Sequence, residues 1–216
     1  MKIKYITLII TLMLSPAYAV PSSHVQPIIQ AAKQGNAEAQ YNLGVRYHEG
    51  EGLPQDYKQA MAWFRKAAEQ GYAAAQYALG GMYYLGRGVP QDYKQAMTWF
   101  RKAAEQGYAA AQYNLGVRYH EGEGVPQDYK QAMAWFRKAA EQGVAKAQYA
   151  LGGMYYLGQG VPQDYNQAYA WGSVAAANGD TIAIKLRDIA AQQLTPSALN
   201  EAQSLASEYF NKYQAK

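Results

Sequence analysis

The stretch AEAQYNLGVRYHEGEGLPQDYKQAMAWFRKAAEQGY, residues 37–72, decides the fold because the chain repeats it three more times. Glycines mark its period of 36 residues, and they are Gly35, Gly71, Gly107, Gly143 and Gly179. Self-similarity at a fixed period of about 20 to 50 residues is the signature of stacked structural repeats. The sequence therefore predicts four repeats, which occupy residues 37–72, 73–108, 109–144 and 145–180.

Each repeat has the pattern of two helices joined by a loop. In its second half the apolar residues recur at i, i+3, i+4 and i+7, on one face of a helix, and in the first repeat they are Tyr57, Ala60, Met61, Phe64, Ala67 and Ala68. Asp56 stands at the N-cap position with Gln59 three residues later, as in a capping box. Gly71 follows, where a left-handed residue commonly ends a helix. The first half has its own apolar row around Leu43, and residues 50–55 form a glycine- and proline-containing loop.

The segments on either side of the repeats are predicted to be caps. A helix pair cannot bury its apolar faces alone, whereas stacked neighbours bury them together and need divergent terminal units for solubility. Pro27 to Gly35 aligns with the second helix of a repeat, so residues 20–36 are predicted to form an N-terminal capping helix. Residues 181–216 predict C-terminal capping helices, the last of which begins at Thr195 with Pro196 in its first turn. The predicted fold class is an all-α solenoid.

Residues 1–19 are interpreted as a cleaved signal peptide. Lys2 and Lys4 precede an uncharged apolar run, and Ala17-Tyr18-Ala19 fits the small-x-small cleavage rule. We therefore expect a periplasmic or secreted protein without a transmembrane span in its mature chain. Two of the 20 basic side chains but none of the 16 acidic ones lie in this segment. The mature chain is consequently close to neutral, which gives no reason to expect a nucleic-acid partner.

The motifs AQYNLG at residues 39–44, GEGLPQDY at 50–57 and WFRKAAEQG at 63–71 carry a family resemblance. With their three further copies, they resemble the Sel1-like repeat (SLR) family, which is related to the tetratricopeptide class. The resemblance implies a right-handed α/α superhelical solenoid whose first helices line a concave surface. Family members typically act as adaptors in exported or signalling assemblies. Some cysteine-rich relatives are linked to binding or slow cleavage of β-lactams, and this chain departs from them because it contains no cysteine.

The repeats alternate between two types, and the differences predict a binding surface. Repeats one and three share one set of residues on the first helix, and repeats two and four share another. Many of these positions fall on a helical stripe beside the packing row, which would face the concave surface. The predicted partner-binding residues are Tyr41, Asn42, Val45, His48, Glu49, Tyr77, Tyr84, Leu85, Tyr113, Asn114, Val117, His120, Glu121, Tyr149, Tyr156 and Leu157.

The favoured function is a non-enzymatic scaffold that binds a peptide or partner protein in this concave groove. Tyrosine supplies rigid contact area at low entropic cost, as expected of a binding surface. The alternative is binding of cell-envelope glycan or peptidoglycan fragments, in which Tyr84 and Tyr156 would take part. A third hypothesis is a β-lactam-interacting hydrolase like the cysteine-rich relatives.

The residues that could support catalysis or metal binding do not form a convincing site. His48 and His120 lie two repeats apart, so they cannot share one metal ion, and neither has enough neighbouring ligands. Glu49 and Glu51 flank a glycine loop, without a wall that would separate their pKa values as glycoside hydrolysis requires. The first three repeats contain no serine and the chain no cysteine to serve as nucleophile. We therefore predict no enzymatic activity, no catalytic residue, no bound metal and no cofactor.

A basic stripe on the second helices is interpreted as a solvated outer face. Arg65 and Lys66 precede Glu69 by four and three residues, the spacing of ordinary helical ion pairs. The alternative is that this stripe contacts anionic lipid or glycan.

Overall fold

The computed structural model describes residues 24–213, so the predicted signal peptide lies outside the described range. Within it the chain forms helices and no strand. The helices are α1 (Gln26–Lys33), α2 (Ala37–Glu49), α3 (Tyr57–Glu69), α4 (Ala73–Leu85), α5 (Tyr93–Glu105), α6 (Ala109–Glu121), α7 (Tyr129–Glu141), α8 (Ala145–Leu157), α9 (Tyr165–Ala177), α10 (Ala183–Ala191) and α11 (Pro196–Lys212). None of the helices in residues 24–213 is long and apolar enough to cross a membrane.

The predicted helix pairs are confirmed, and local residues explain their bounds. The side chain of Asp56 accepts hydrogen bonds from the backbone N–H groups of Lys58 and Gln59 at the start of α3. Gly50 ends α2 with a φ of 78°, and Gly71 follows α3 with a φ of 88°. Residues with a side chain rarely adopt such values, whereas glycine does so without strain.

Each helix pair packs closely because a glycine faces a phenylalanine. A Cβ placed on Gly44 would lie 2.6 Å from Cδ1 of Phe64, and one on Gly80 would lie 2.7 Å from Cδ1 of Phe100. These glycines let the two backbones approach so that the aromatic ring fills the space beside them. The core of the stack is completed by fully buried leucines at equivalent positions, which are Leu43, Leu79, Leu115 and Leu151.

A buried glutamine in each first helix joins its repeat to the preceding one. Gln76 donates from Nε2 to the backbone oxygen of Ala68, at 3.1 Å, and accepts at Oε1 a hydrogen bond of 2.7 Å from Gln106. Buried amides are costly unless they are hydrogen-bonded, so both halves of this amide stabilise the stack. The same arrangement recurs at Gln40, Gln112 and Gln148.

The C-terminal helices cover the last repeat with aromatic residues. Trp171 is 1% exposed and packs against Tyr209 and Tyr213, at ring-centroid distances of 4.6 and 5.4 Å. Leu186 of α10 takes the place of the phenylalanine that faces the glycine in earlier repeats. As the sequence predicts, α11 begins with the Thr195 side chain as its cap and with a proline in its first turn.

Arg65 and Lys66 are exposed, as expected of a solvated outer face, but neither forms an ion pair with Glu69. Arg65 instead donates a hydrogen bond of 2.8 Å to the hydroxyl of Tyr83 in the next repeat. The Lys66 ammonium lies over the ring of Trp63, 4.2 Å from its centroid. Between residues 24 and 213 no carboxylate pairs with Arg65 or Lys66. The partner of Arg65 thus comes from the next repeat, whereas that of Lys66 lies three residues earlier in the same helix.

Candidate functional site

The first helices of the four repeats, α2, α4, α6 and α8, carry all the predicted partner-binding residues. We call their shared surface, away from the second helices, the first-helix face. Two cavities open on it, each between the first helices of a repeat pair. Some of the predicted residues line these cavities. Others belong to the contact between α4 and α6, which separates the cavities, or lie elsewhere on the first helices.

The first cavity lies between α2 and α4 and has a volume of about 290 Å³. Phe64 and Met82 contribute to its lining together with two small residues, Ala78 and Gly81. Arg87, from the loop after α4, lies at its edge. The predicted residues that line this cavity are Tyr41, Val45, His48, Glu49, Tyr77 and Leu85.

The second cavity lies between α6 and α8 and has a volume of about 280 Å³. It repeats the first cavity two repeats further along the chain, with Phe136, Met154 and Gly153 at the equivalent positions. Gln159 replaces the arginine of the first cavity. The predicted residues that line this second cavity are His120, Tyr149 and Leu157.

An exposed leucine stands at the mouth of each cavity. Leu85 is 54% exposed and Leu157 is 62% exposed, and each is the last residue of its helix. At the same position the other repeat type carries Glu49 and Glu121. Large apolar side chains left in water beside an apolar cavity are a feature of interaction surfaces.

The contact between α4 and α6 is closed by a polar cluster. The Arg118 guanidinium bonds to the Tyr84 hydroxyl and to the Glu123 carboxylate, and Tyr84 donates to Glu123 at 2.5 Å. Glu121 also pairs with Arg118, at 3.4 Å. The Arg118 side chain is consequently only 12% exposed, whereas the equivalent Arg46 is 39% exposed.

The tyrosines of the first-helix face are partly packed side chains rather than a free ladder. Tyr77 lies 5.5 Å from Phe100 and 5.4 Å from Tyr108, and its hydroxyl accepts a hydrogen bond of 2.7 Å from Asn114. Burial, the largest cause, raises the pKa of Tyr77 above its ordinary value. Burial likewise raises the pKa of Tyr41 and of Tyr113. Tyr41 and Tyr77 form walls of the first cavity, and truncating any of the three tyrosines would also disturb the packing.

The remaining predicted residues lie outside both cavities. Tyr156 packs against Tyr165, at a centroid distance of 5.3 Å, and Val117 packs against the apolar core of the third and fourth repeats. Asn42 is partly buried on α2. The residues that line neither cavity are Asn42, Tyr84, Tyr113, Asn114, Val117, Glu121 and Tyr156.

A few polar groups of the first-helix face lie close enough to one another for hydrogen bonds. The His48 ring nitrogen Nε2 lies 3.3 Å from the Arg87 guanidinium, and His120 Nε2 lies 3.1 Å from Gln159 Oε1. No group of three metal-ligating side chains converges within the described part of the chain. Apolar walls with a few hydrogen-bonding groups at the mouth suit the binding of side chains.

Sequence reasoning missed the residues that create the cavities. Gly81 and Gly153, with the alanine three positions before each, line the cavities, and the other repeat type carries the larger valine and asparagine at these positions, as in Val45 and Asn42. Arg87 was also outside the predicted site. The alternation between repeat types contained this signal, because all these positions differ between the two types.

Comparisons with known proteins identify the repeat. The Sel1 repeat family model matches residues 37–72, 73–108, 109–144 and 145–180, together more than half of the chain. These boundaries are the ones that the 36-residue period predicts.

Two solved structures share both fold and sequence. The crystal structure of c5321, a protective antigen of uropathogenic Escherichia coli with an SLR fold, is 43% identical with a TM-score of 0.80, over 88% of this chain and 41% of that chain. A Sel1 repeat protein from Oxalobacter formigenes is 46% identical with a TM-score of 0.72, over 76% of this chain and 48% of that chain.

A shorter match links the chain to a curated protein. The secretory immunoglobulin A-binding protein EsiB of Escherichia coli O6:H1 is 46% identical over 49 residues, which make up 23% of this chain and 10% of that protein. The chain therefore matches less than half the length of each of these relatives.

Sel1 solenoids are typically protein–protein interaction scaffolds and are generally non-enzymatic. Three findings agree with one another: the family model matches four repeats, the helices stack with the predicted period, and the fold is similar to solved SLR structures. The chain belongs to the Sel1 repeat family.

Proposed function

We propose that this chain is an exported, non-enzymatic scaffold that binds a peptide or a segment of a partner protein. The first-helix face would serve as the concave groove for this partner. One observation carries the proposal: two apolar cavities open on this face, each with an exposed leucine at its mouth. Burying such surface against a partner removes apolar area from water, which is the main favourable contribution to most protein associations.

The relatives support a protein partner and a place outside the cytoplasm. The name of EsiB describes an immunoglobulin-binding protein, and c5321 is described as a protective antigen. Together with the signal-peptide pattern of residues 1–19, these descriptions favour a periplasmic or secreted location for this chain. The immunoglobulin ligand belongs to EsiB, and the partner of this chain is to be identified by experiment.

The contacts of Tyr84 and Tyr156 make glycan binding the weaker alternative. The Tyr84 hydroxyl already accepts a hydrogen bond from Arg118 and donates one to Glu123, so a sugar would have to compete with these partners. Tyr156 has its ring packed against Tyr165. The apolar lining of the cavities also suits peptide side chains better than sugar hydroxyls.

Affinity capture with a matched pair of variants tests the proposal. The mature chain, beginning at Val20, serves as bait for envelope extract and culture supernatant, beside Leu85→Ser with Leu157→Ser. The control is Ala62→Ser with Ala134→Ser, since both alanines are exposed on the second helices. All baits should melt at similar temperatures because none of these side chains is buried.

The expected result is a protein that the mature chain and the alanine control both capture and the leucine variant does not. Mass spectrometry then names the partner. If the leucine variant captures the same protein as the mature chain, binding on the first-helix face is contradicted. If no protein is captured, retention on peptidoglycan sacculi becomes the next measurement.

A further inference from the structure

Two kinds of glycine occur within the first helices, and only one kind has a packing role. Gly80 faces Phe100 so closely that any Cβ would collide with the ring. Gly81, the next residue, is different: a Cβ added there would meet no atom within 4 Å, and the same holds for Gly153. Glycine inside a helix is less stable than alanine because it loses more conformational freedom on folding. Packing within the chain therefore gives no reason for Gly81 and Gly153.

These two unexplained glycines line the two cavities. Each lies three residues after an alanine on the same side of its helix. The glycine and the alanine leave this part of the helix surface without a large side chain. Glycine at such a place allows another chain to come close to the helix backbone. The chain itself does not fill the space beside Gly81 and Gly153, so this space is suited to a ligand.

We infer that the two cavities bind one extended peptide segment, which inserts two apolar side chains about six residues apart and carries a carboxylate beside the first of them. This inference rests on the proposed function, because it names the kind of segment that the first-helix face would bind. It adds the number of anchors, their spacing and the charge next to one anchor.

The separation of the cavities sets the spacing of the anchors. Packed helices lie roughly 8–10 Å apart, so equivalent points two repeats apart are separated by about 20 Å. An extended chain advances about 3.3 Å per residue, so six residues cover that distance. Side chains alternate between the two faces of an extended chain, and an even spacing of six places both anchors on the same face.

The closed contact between the cavities determines what lies between the anchors. Tyr84, Arg118 and Glu123 fill this position with a hydrogen-bonded polar cluster, so it offers no space for a third apolar side chain. The intervening residues of the peptide would cross a polar surface. We therefore expect polar residues between the two anchors.

Charge distinguishes the first cavity from the second. Arg87 is exposed at the edge of the first cavity, and no carboxylate in residues 24–213 forms an ion pair with it. Arg87 instead contacts the His48 ring nitrogen, at 3.3 Å, and the face of the Tyr57 ring. Glu49 also lines this cavity, so a ligand carboxylate is favoured only on the side of Arg87. Gln159 at the equivalent place leaves the second cavity without this preference.

A random peptide library displayed on phage tests the inference without assuming a partner. The mature chain is used for selection, and enriched peptides are then synthesised and their affinities measured. The expected peptides contain two apolar residues six positions apart, polar residues between them, and Asp or Glu next to one anchor. A peptide with both anchors should bind at least ten-fold more tightly than either single-anchor version, because linked contacts raise the effective concentration of the second.

Filling one cavity should remove this advantage. Gly81→Val and Gly153→Val each place a side chain in open space, and valine has a higher helix propensity than glycine, so both variants should fold. Each of the two variants should bind the two-anchor peptide only as tightly as a single-anchor peptide. Ala78→Val fills the first cavity from another position and replaces Gly81→Val if that variant melts below the unmodified chain. Arg87→Gln should reduce the preference for Asp over Asn by about three-fold, as expected for an exposed ion pair.

Several results would overturn the inference. They are the absence of enriched peptides, enrichment of a single anchor or of helical three- and four-residue spacing, and affinities unchanged by both valine variants. If the captured partner still depends on Leu85 and Leu157 in that case, the proposed function stands and only the extended two-anchor ligand is wrong. If partner capture is also indifferent to the leucines, the proposed function fails with it.

Discussion

At the scale of single residues, neighbouring glycines have opposite consequences for stability. Gly80→Ala forces a methyl group into the ring of Phe100, at a distance of 2.7 Å that the structure must relieve. Overpacking of this kind costs about 1–3 kcal/mol. Gly81→Ala meets nothing within 4 Å and should raise the unfolding free energy by about 0.5–1 kcal/mol through helix propensity. Urea denaturation of the two variants should show shifts of opposite sign, and destabilisation by Gly81→Ala would contradict the open cavity.

The buried glutamines give a second prediction at this scale. Gln112→Leu removes the donor to the Ala104 carbonyl and the acceptor for Gln142. Both former partners keep another hydrogen bond, since the Ala104 carbonyl accepts from the Gly107 N–H and the exposed Gln142 donates to the Gly107 carbonyl. The two lost hydrogen bonds themselves contribute about 0.5–1.5 kcal/mol each. We therefore expect a marked loss of stability in urea denaturation. Gln131→Leu, at an exposed position of α7, is the control and should change stability by no more than about 0.5 kcal/mol.

At the scale of helices, the last helix serves to bury a tryptophan. Trp63 of the first repeat remains partly exposed under Lys66, whereas Trp171 of the fourth is covered by Tyr209 and Tyr213. Tyr209→Ala should therefore expose Trp171, shift the tryptophan emission to longer wavelength and lower stability by about 2 kcal/mol. Phe210→Ala is the control, since Phe210 is 40% exposed. Equal spectral changes in both variants would mean that α11 does not cover Trp171 through Tyr209.

Helix bounds could be predicted from the sequence because they depend on nearby residues. Asp56 caps the helix that begins at Tyr57, and Gly71 marks its end, both within one repeat. The partner of Arg65 could not be predicted in this way. Tyr83, which binds Arg65, lies 18 residues later in another helix, so only the stacking of repeats brings the two together.

The cavities were hidden from sequence reasoning for a related reason. Each is formed by an aromatic residue and a histidine of one repeat together with small residues of the next, as with Phe64, His48 and Gly81. The tyrosine stripe could be assigned to the first helices from periodicity. Which of its members are open to a ligand depends on the contact between repeats, and that contact is open after the first and third repeats but closed by Arg118 after the second.

At the scale of the whole molecule, the stack consists of two equivalent blocks of two repeats. Extensive contacts join helices that follow one another along the chain or close the C-terminal end. Stability in such arrays is approximately a sum of repeat and neighbour terms. A two-repeat block can therefore be removed without breaking a distant contact. The block 73–144 is suitable, because its deletion joins the first repeat to the fourth and keeps the order of the two repeat types.

The chain that lacks residues 73–144 should fold with one cavity, between α2 and α8. Its helical content per residue, measured by circular dichroism, should match that of the full chain, while its melting temperature should be lower because two interfaces are lost. Gln159 would take the place of Arg87 beside His48, so the single cavity should lack a preference for acidic peptides. A two-anchor peptide should bind this shortened chain no better than a single-anchor peptide. Retained two-anchor affinity would show that the second anchor contacts something other than the second cavity.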